Sequence, residues 1–171
     1  MDMNTTDKDG RTLLWWACRN EHDAVLSMLL DTGKFSAYLK DSHGLTPLIW
    51  AAQNGRRTIA KLLLDKGADV NTQGGQYGNA LQGASQGGHE QVVKLLLDKG
   101  ANVNAQDGQY SNALYAASQE GYEQVVKLLL DKGADVNAQG GRYGNALQAA
   151  SEGGYKQVFK LLVDKGARGN E

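Results

Sequence analysis

Residues 92–101 read Val-Val-Lys-Leu-Leu-Leu-Asp-Lys-Gly-Ala, and residues 125–134 repeat the same ten letters. The two copies lie 33 residues apart, and the same interval relates Gly-Asn-Ala-Leu-Gln at 78–82 to its copy two periods later at 144–148. A related stretch, Leu-Leu-Leu-Asp-Lys-Gly-Ala, stands one period upstream at 62–68. A fixed period of this length is typical of repeat proteins, in which each unit buries its apolar side against its neighbours.

The period divides the chain into four similar units and a more diverged first unit. We expect an N-terminal tail at 1–6 and units at approximately 7–40, 41–73, 74–106, 107–139 and 140–171, numbered 1 to 5 below. Unit 1 is one residue longer because residues 34–40 carry an insertion. The repetition also explains why the chain has 22 glycines and one proline, since glycine recurs at fixed points of each unit.

Each unit is predicted to contain two short helices. The first helix begins at a residue that can cap free backbone N–H groups, namely Thr46, Asn79, Asn112 or Asn145, and it ends near Gly55, Gly88, Gly121 or Gly154. The second follows an i, i+3, i+4 apolar pattern and stops at a glycine such as Gly100. Helices of about nine residues are too short to persist alone in water, so stacking must stabilise them.

Composition restricts the function classes. The 18 basic and 19 acidic residues nearly balance, which does not favour a nucleic-acid or anionic-membrane binder. No apolar run approaches the ~20 residues that span a bilayer. The single cysteine, Cys18, has no internal disulfide partner and fits a reducing compartment. We therefore expect a cytoplasmic protein, without excluding the nucleus, that does not bind membranes or nucleic acid.

The second unit carries a family resemblance. Residues 41–52 read Asp-Ser-His-Gly-Leu-Thr-Pro-Leu-Ile-Trp-Ala-Ala and are followed by Gly-Ala-Asp-Val-Asn at 67–71, which resembles the ankyrin repeat nearly residue for residue. The resemblance covers roughly 7–171 and implies an all-α solenoid of about five helix-turn-helix units with hairpin finger loops. The family's usual histidine after Pro-Leu is replaced by Trp15, Ile49, Gln82, Tyr115 and Gln148, so part of the usual hydrogen-bond network is expected to be lost.

The motif Gly-Gly-x-Tyr-Gly-Asn-Ala-Leu-Gln of the later units resembles the sequences of ankyrin arrays of filamentous fungi. Such arrays often follow a nucleotide-binding oligomerisation domain in receptor-like proteins, in which the repeats are implied to recognise other molecules. No nucleotide-binding domain is present in this sequence. Whether the chain is a segment of a larger protein or a small stand-alone relative is left open.

The resemblance implies binding to a protein through the concave face, which the fingers and first helices form. A comparison of 74–106 with 107–139 supports this, because the seven differences fall mainly in the finger and first helix, whereas the second helix is unchanged. The predicted contact residues on the fingers and first helices are Gln76, Gln86, Gln109, Gln119, Glu120, Arg142 and Glu152, with Arg11, His43 and Leu45 in the first two units; the nearby Lys8, Asp9, Ser42, Gln53 and Asn54 complete this surface.

Two aromatic sets leave alternatives open. Tyr77, Tyr110 and Tyr143 occur once per finger and are included among the contact residues; they either anchor a partner or pack on the next finger, and packing is preferred. The finger turns are expected to be supplied by Gly75, Gly108 and Gly141. Trp15, Trp16 and Trp50 either cap the N-terminal end of the core or contact a ligand, and capping is preferred. Tyr115 is expected to be more exposed, since its counterparts are Gln82 and Gln148, and it is included among the contact residues.

Catalysis, cofactors and metals are not expected. The three histidines lack metal-ligand spacing, and Cys18 has no second cysteine with which to form a zinc site. The same carboxylates recur along the array, whereas a catalytic site needs one unique constellation. The rival to a recognition module is a spacer within a longer polypeptide that uses its ends to contact further units, because unit 5 carries Phe159 and Val163 where a closing repeat should be polar. A monomer is expected, with end-to-end self-association as the alternative.

Overall fold

The computed structural model describes residues 2–169 and contains ten α-helices in that range, two in each unit. The first helices of units 1 to 5 are α1 (Leu13–Arg19), α3 (Pro47–Gln53), α5 (Ala80–Gln86), α7 (Ala113–Glu120) and α9 (Ala146–Glu152). The second helices are α2 (Asp23–Asp31), α4 (Arg57–Asp65), α6 (Glu90–Asp98), α8 (Glu123–Asp131) and α10 (Lys156–Asp164). The prediction of an all-α solenoid built from helix-turn-helix units is confirmed.

The first helices begin at the predicted caps. The side-chain oxygens of Thr46, Asn79, Asn112 and Asn145 each accept a hydrogen bond from the backbone N–H three residues later. Thr12 caps α1 in the same way. Since the first turn of a helix leaves backbone donors without intrahelical partners, these caps define where each first helix starts.

The core runs along the array between the two layers of helices. Leu48, Leu81 and Leu114 on successive first helices are at most 2% exposed, and the second helices contribute residues such as Leu96 and Leu129, which are fully buried. Each first helix packs on the first helices of the adjacent units, and each second helix packs on the adjacent second helices. Stacking therefore supplies the stabilisation that helices of seven to nine residues lack alone.

Two sets of polar contacts tie each unit to the next. The side-chain amides of Asn71, Asn104 and Asn137 donate to the backbone carbonyls of Gly100, Gly133 and Gly166, and in unit 1 the Tyr38 hydroxyl donates to the Gly67 carbonyl. The lysines that follow the second helices pair with the aspartate that ends the preceding second helix, giving Lys66–Asp31, Lys99–Asp65, Lys132–Asp98 and Lys165–Asp131. Both sets fix the register between units.

Candidate functional site

The fingers are the hairpin loops that precede the first helices. An antiparallel bridge closes the finger of unit 3 between Gln73 and Asn79, that of unit 4 between Asp107 and Ser111, and that of unit 5 between Gln139 and Asn145. Gly75, Gly108 and Gly141 make the turns with φ of +69°, +59° and +73°, which confirms the prediction that glycine supplies them. The predicted tip residues Gln76, Gln109 and Arg142 are exposed.

Of the finger tyrosines, Tyr77 packs on the next finger, as the preferred interpretation has it, and the three rings do not form a uniform row. The rings of Tyr77 and Tyr110 are stacked, with centroids 5.7 Å apart and planes within 8° of parallel. The guanidinium carbon of Arg142 lies 5.5 Å from the centroid of Tyr143, the third member of the set. Burial raises the pKa of the Tyr110 hydroxyl, and all three residues are half-buried. Their half-buried rings lie along the finger side of the array.

The expectation that Tyr115 is exposed is wrong. Its side chain is 1% exposed, and its hydroxyl oxygen accepts a hydrogen bond of 3.0 Å from the backbone N–H of Tyr143. Its ring fills the space beside Gly141, where a β-carbon would lie 2.3 Å from the Cζ atom of Tyr115. Tyr115 therefore supports the finger of unit 5 from below and is not part of the binding surface.

Gln82 holds the finger of unit 4 in the equivalent way. The residue is 1% exposed, and its side-chain nitrogen donates to the carbonyls of Asp107 at 3.0 Å, Ser111 at 3.0 Å and Ala105 at 3.3 Å. Its side-chain oxygen accepts from the backbone N–H of Asn79 at 3.2 Å. The expectation that this unit loses part of its loop hydrogen-bond network is therefore wrong, because the Gln82 amide provides replacement hydrogen bonds.

Two adjoining clefts lie where the fingers meet the first helices of units 1 to 3. The larger has a volume of about 430 Å³ and is lined by Arg11, Trp15, Arg19, Asp41, His43, Leu45, Trp50, Gln53 and Asn54. The smaller has a volume of about 280 Å³ and is lined by His43, Leu45, Gln53, Gln76 and Tyr77. They share His43, Leu45 and Gln53, so the two clefts adjoin on the concave face, and together they are called the groove.

The N-terminal end of this groove is an aromatic and basic cluster. The Trp15 ring is 3% exposed and lies against Trp16 and Trp50, with centroids 5.4 and 5.8 Å away. The guanidinium carbons of Arg11 and Arg19 lie 4.4 and 5.7 Å from the centroid of Trp15. The preferred interpretation, in which the tryptophans complete the core at this end, agrees with the burial of Trp15, while Trp16 and Trp50 remain half-buried.

Acidic groups hold the cluster in place. The Arg11 guanidinium pairs with Asp9 at 3.2 Å, and the Trp16 ring nitrogen donates to Asp7 at 3.0 Å. A hydrogen bond from the backbone N–H of Arg11 lowers the pKa of Asp7. Arg11 is accordingly less accessible than a free surface cation, whereas Arg19 has no ion pair with any residue in 2–169.

Comparison with known protein families agrees with this geometry. The sequence profile described as Ankyrin repeats (3 copies) matches residues 1–74 and 81–171. The chain belongs to the ankyrin-repeat family. Ankyrin repeats are generally protein–protein interaction modules. Comparison with curated proteins found no matching relative.

The first helices of this ankyrin array place one residue per unit along the concave face. The successive residues at that position are Arg19, Gln53, Gln86, Gln119 and Glu152. Charge along the row thus changes from basic through three half-buried amides to acidic, and Glu120, one residue beyond Gln119, is also half-buried. Sequence reasoning named four members of this row but missed Arg19, which the 34-residue length of unit 1 aligns with Gln53.

Two of the seven differences between units 3 and 4 are buried in both units. Gln82 and Tyr115 lie beneath the fingers, and Gly83 and its buried counterpart Ala116 lie on the first helices, Gly83 against Gln53 of the preceding unit, whereas Gly87/Glu120 and His89/Tyr122 reach the surface. Part of the variation between the repeats therefore reflects different ways of supporting a finger. Differences between repeats therefore do not by themselves identify the concave face as the binding surface, and the groove is the stronger indication.

Within residues 2–169, no group of three or more histidine, cysteine, aspartate or glutamate side chains is arranged to hold a metal ion. None of the helices in the same range is long and apolar enough to cross a bilayer. The carboxylates repeated along the array instead take part in the ion pairs between units.

Proposed function

We propose that this ankyrin array is a non-catalytic recognition module that binds a protein partner along its concave face. The observation that carries the proposal is the groove made by the two adjoining clefts, which reach from the Trp15 and Arg19 cluster to Gln76 and Tyr77. A groove open along its length suits an extended segment or an edge of a globular partner.

The chemistry of the groove supports polypeptide recognition. The ring nitrogen of Trp15, the side-chain nitrogen of Gln53 and the Nε atom of Arg11 are buried at the groove wall and have no hydrogen-bond partner among residues 2–169. Glutamine side chains carry both a donor and an acceptor, so the row Gln53, Gln86 and Gln119 matches the alternating N–H and C=O groups of a backbone. Beside it, the stacked tyrosines and half-buried tryptophans offer apolar area of the kind that anchors protein interfaces.

The finger-side and C-terminal residues extend the proposed surface beyond the groove. Gln109, Tyr110, Arg142 and Tyr143 continue the finger side, and Glu120 and Glu152 continue the first-helix side. The change from basic to acidic along the row favours one orientation of the partner, with its acidic end over unit 1, because complementary potentials fix register.

The chain offers a matched pair of variants that tests this face. Gln53, Gln86 and Gln119 lie on first helices, whereas Gln91, Gln124 and Gln157 are exposed on second helices at the same spacing. Each triple is changed to alanine, and proteins retained from a native lysate are identified by mass spectrometry. A retained protein is then purified and its affinity for each variant is measured by calorimetry.

The first-helix triple variant is expected to lose the partner, while the second-helix triple variant retains it with unchanged affinity. A second variant set, with Gln76, Tyr77, Gln109, Tyr110, Arg142 and Tyr143 all changed to alanine, tests the fingers. If both the first-helix and finger variants bind as the parent chain does, the concave face is not the recognition surface. Loss of binding by the second-helix variant alone would place the surface on the opposite side.

A further inference from the structure

Two exposed residues at the N-terminal end, Leu13 and Val25, occupy positions that are buried in every other unit. Val25 is 44% exposed, whereas its equivalents Ile59, Val92, Val125 and Val158 are each 1% exposed. Leu13 is 55% exposed, whereas its equivalents Ala80, Ala113 and Ala146 are at most 2% exposed. Met28, one helical turn after Val25, is 69% exposed. Leu13 and Val25, whose positions are covered elsewhere in the array, and the neighbouring Met28 are named the leading face.

The C-terminal end shows the complementary pattern. Phe159 is 39% exposed, whereas its equivalents Ala60, Val93 and Val126 are fully buried by the unit that follows each of them. Val163, on the same helix, is 45% exposed. Phe159, Val163 and the adjoining Gly154 are named the trailing face. Every interface inside the array joins a trailing face to a leading face.

At three of the interfaces between neighbouring units, an aromatic ring of one unit packs against a glycine of the preceding unit. The His89 ring lies against Gly55, the Tyr122 ring against Gly88, and the Tyr155 ring against Gly121, and an added β-carbon on any of these glycines would lie within 2.8 Å of the ring. The equivalent Gly154 has nothing within 4 Å of the same point. It lies instead in an open, mainly apolar cleft of about 320 Å³ whose walls include Tyr155 and Phe159.

The leading face carries the side chain that fits this cleft. His22 precedes α2 at the position that His89 and Tyr122 occupy before α6 and α8. We propose that a second copy of this chain stacks head to tail on the first, with His22 of the second copy against Gly154. Its Leu13, Val25 and Met28 then cover Phe159 and Val163 in the register of the internal interfaces.

Charge complementarity supports a second copy as the occupant. Within the array, Asp23 of unit 1 and Arg57 of unit 2 occupy equivalent positions and line the same cleft. Stacking places Lys156 and Asp23 of the second copy in the same relation, again with opposite charges. The Lys–Asp pair of the internal interfaces is not reproduced, since Thr32 stands at the lysine position of unit 1. Apolar contacts and this one complementary pair therefore carry the association.

The proposed interface joins different surfaces, so it does not close and allows chains of copies to grow. Sedimentation velocity over a range of concentrations is expected to show a weight-average sedimentation coefficient that rises for the parent chain. Val25→Asp on the leading face and Phe159→Asp on the trailing face are each expected to sediment as monomers at all concentrations. Leu39→Asp, which changes a loop residue of similar exposure, is the control and should associate like the parent.

An equimolar mixture of the Val25→Asp and Phe159→Asp variants gives the decisive result. Each variant keeps one intact face, so the mixture is expected to form dimers and nothing larger. A parent chain that stays monomeric up to its solubility limit would overturn the proposal, as would a mixture that forms no dimer. Circular dichroism verifies folding, and Met28→Asp replaces Val25→Asp if that variant unfolds, because Met28 is the most exposed side chain of the leading face.

Discussion

The side-chain nitrogen of Gln82 donates a 3.0 Å hydrogen bond to the backbone carbonyl of Asp107, which joins the first helix of one unit to the finger of the next. The same amide group also satisfies the carbonyls of Ser111 and Ala105. A single buried side chain thus determines the position of a loop 25 residues away in sequence. This finger reaches the concave groove through Tyr110, whose ring stacks on the groove residue Tyr77.

Gln82→Leu is expected to destabilise the chain by ~2–4 kcal/mol, since the apolar side chain removes the donor from the carbonyls of Asp107 and Ala105 and the acceptor from the backbone N–H of Asn79. Gln86→Leu on the same helix is the control and should change the free energy of unfolding by about 0.5 kcal/mol or less, because Gln86 is half-buried at the surface. Urea unfolding followed by circular dichroism measures both. Equal stability of the two variants would show that the amide does not support the finger.

Gly88 and Gly154 occupy equivalent positions, so alanine substitutions at the two sites distinguish the cost of backbone strain from the cost of displacing a packed ring. Both have positive φ, +69° and +72°, but only Gly88 has a ring against it, that of Tyr122. Gly154→Ala is expected to cost ~1–2 kcal/mol, from the left-handed backbone alone. Gly88→Ala is expected to cost a further ~1–3 kcal/mol, because the ring must move. Thermal or urea unfolding of both variants measures the difference, and equal losses would contradict the ring contact.

Asp65 connects two units through its carboxylate and makes the stability of the array depend on pH in the acidic range. Hydrogen bonds from Lys61 and Lys99 lower the pKa of Asp65 from 3.8 to about 2. Because the folded-state pKa is depressed, this contribution to stability is present above pH 3.8 and is lost as the pH falls toward 2. Carboxyl titration by NMR should show the pKa of Asp65 rising in Lys61→Met and in Lys99→Met. An unchanged pKa in both variants would exclude these ion pairs as its cause.

Cys18 makes the stability of the folded chain fall, rather than rise, with increasing pH in the alkaline range. Its side chain is fully buried in α1, and burial raises the pKa of the thiol from 9.0 to about 12. The unfolded chain releases this proton near pH 9 while the folded chain retains it, so stability falls as the pH rises from 9 toward 12. The stability of Cys18→Ala relative to the parent should increase over this range in urea unfolding. A constant difference between the two proteins would indicate that the thiol is accessible.

Much of the fold could be predicted because local signals recur at a fixed interval. Each Thr or Asn cap satisfies backbone donors within its own helix, so the starts of the first helices depend only on nearby residues. The glycines that turn the fingers are local in the same sense, since positive φ is a property of one residue. These features were predicted correctly.

Tyr115 was predicted wrongly for a reason that the repeats make clear. Its counterpart Gln82 suggested a polar, exposed position. Both side chains instead lie under the finger of the following unit, which an amide supports in one case and a phenol in the other. The amide donates to three carbonyls, whereas the phenol fills space and accepts one backbone hydrogen bond. A substitution between repeats therefore does not indicate exposure.

By itself, the sequence determined the period, the helix pairs, their caps and the glycine turns, because each of these depends on the conformational preferences of a few neighbouring residues. Only the tertiary structure decided which polar side chains are buried, how Arg11 and Arg19 lie over the tryptophans, and that Lys99 pairs with Asp65 across a unit boundary. These outcomes depend on distances between residues of different units. Such distances are set when the units stack, since stacking decides which side chains lose contact with water and which groups can reach them.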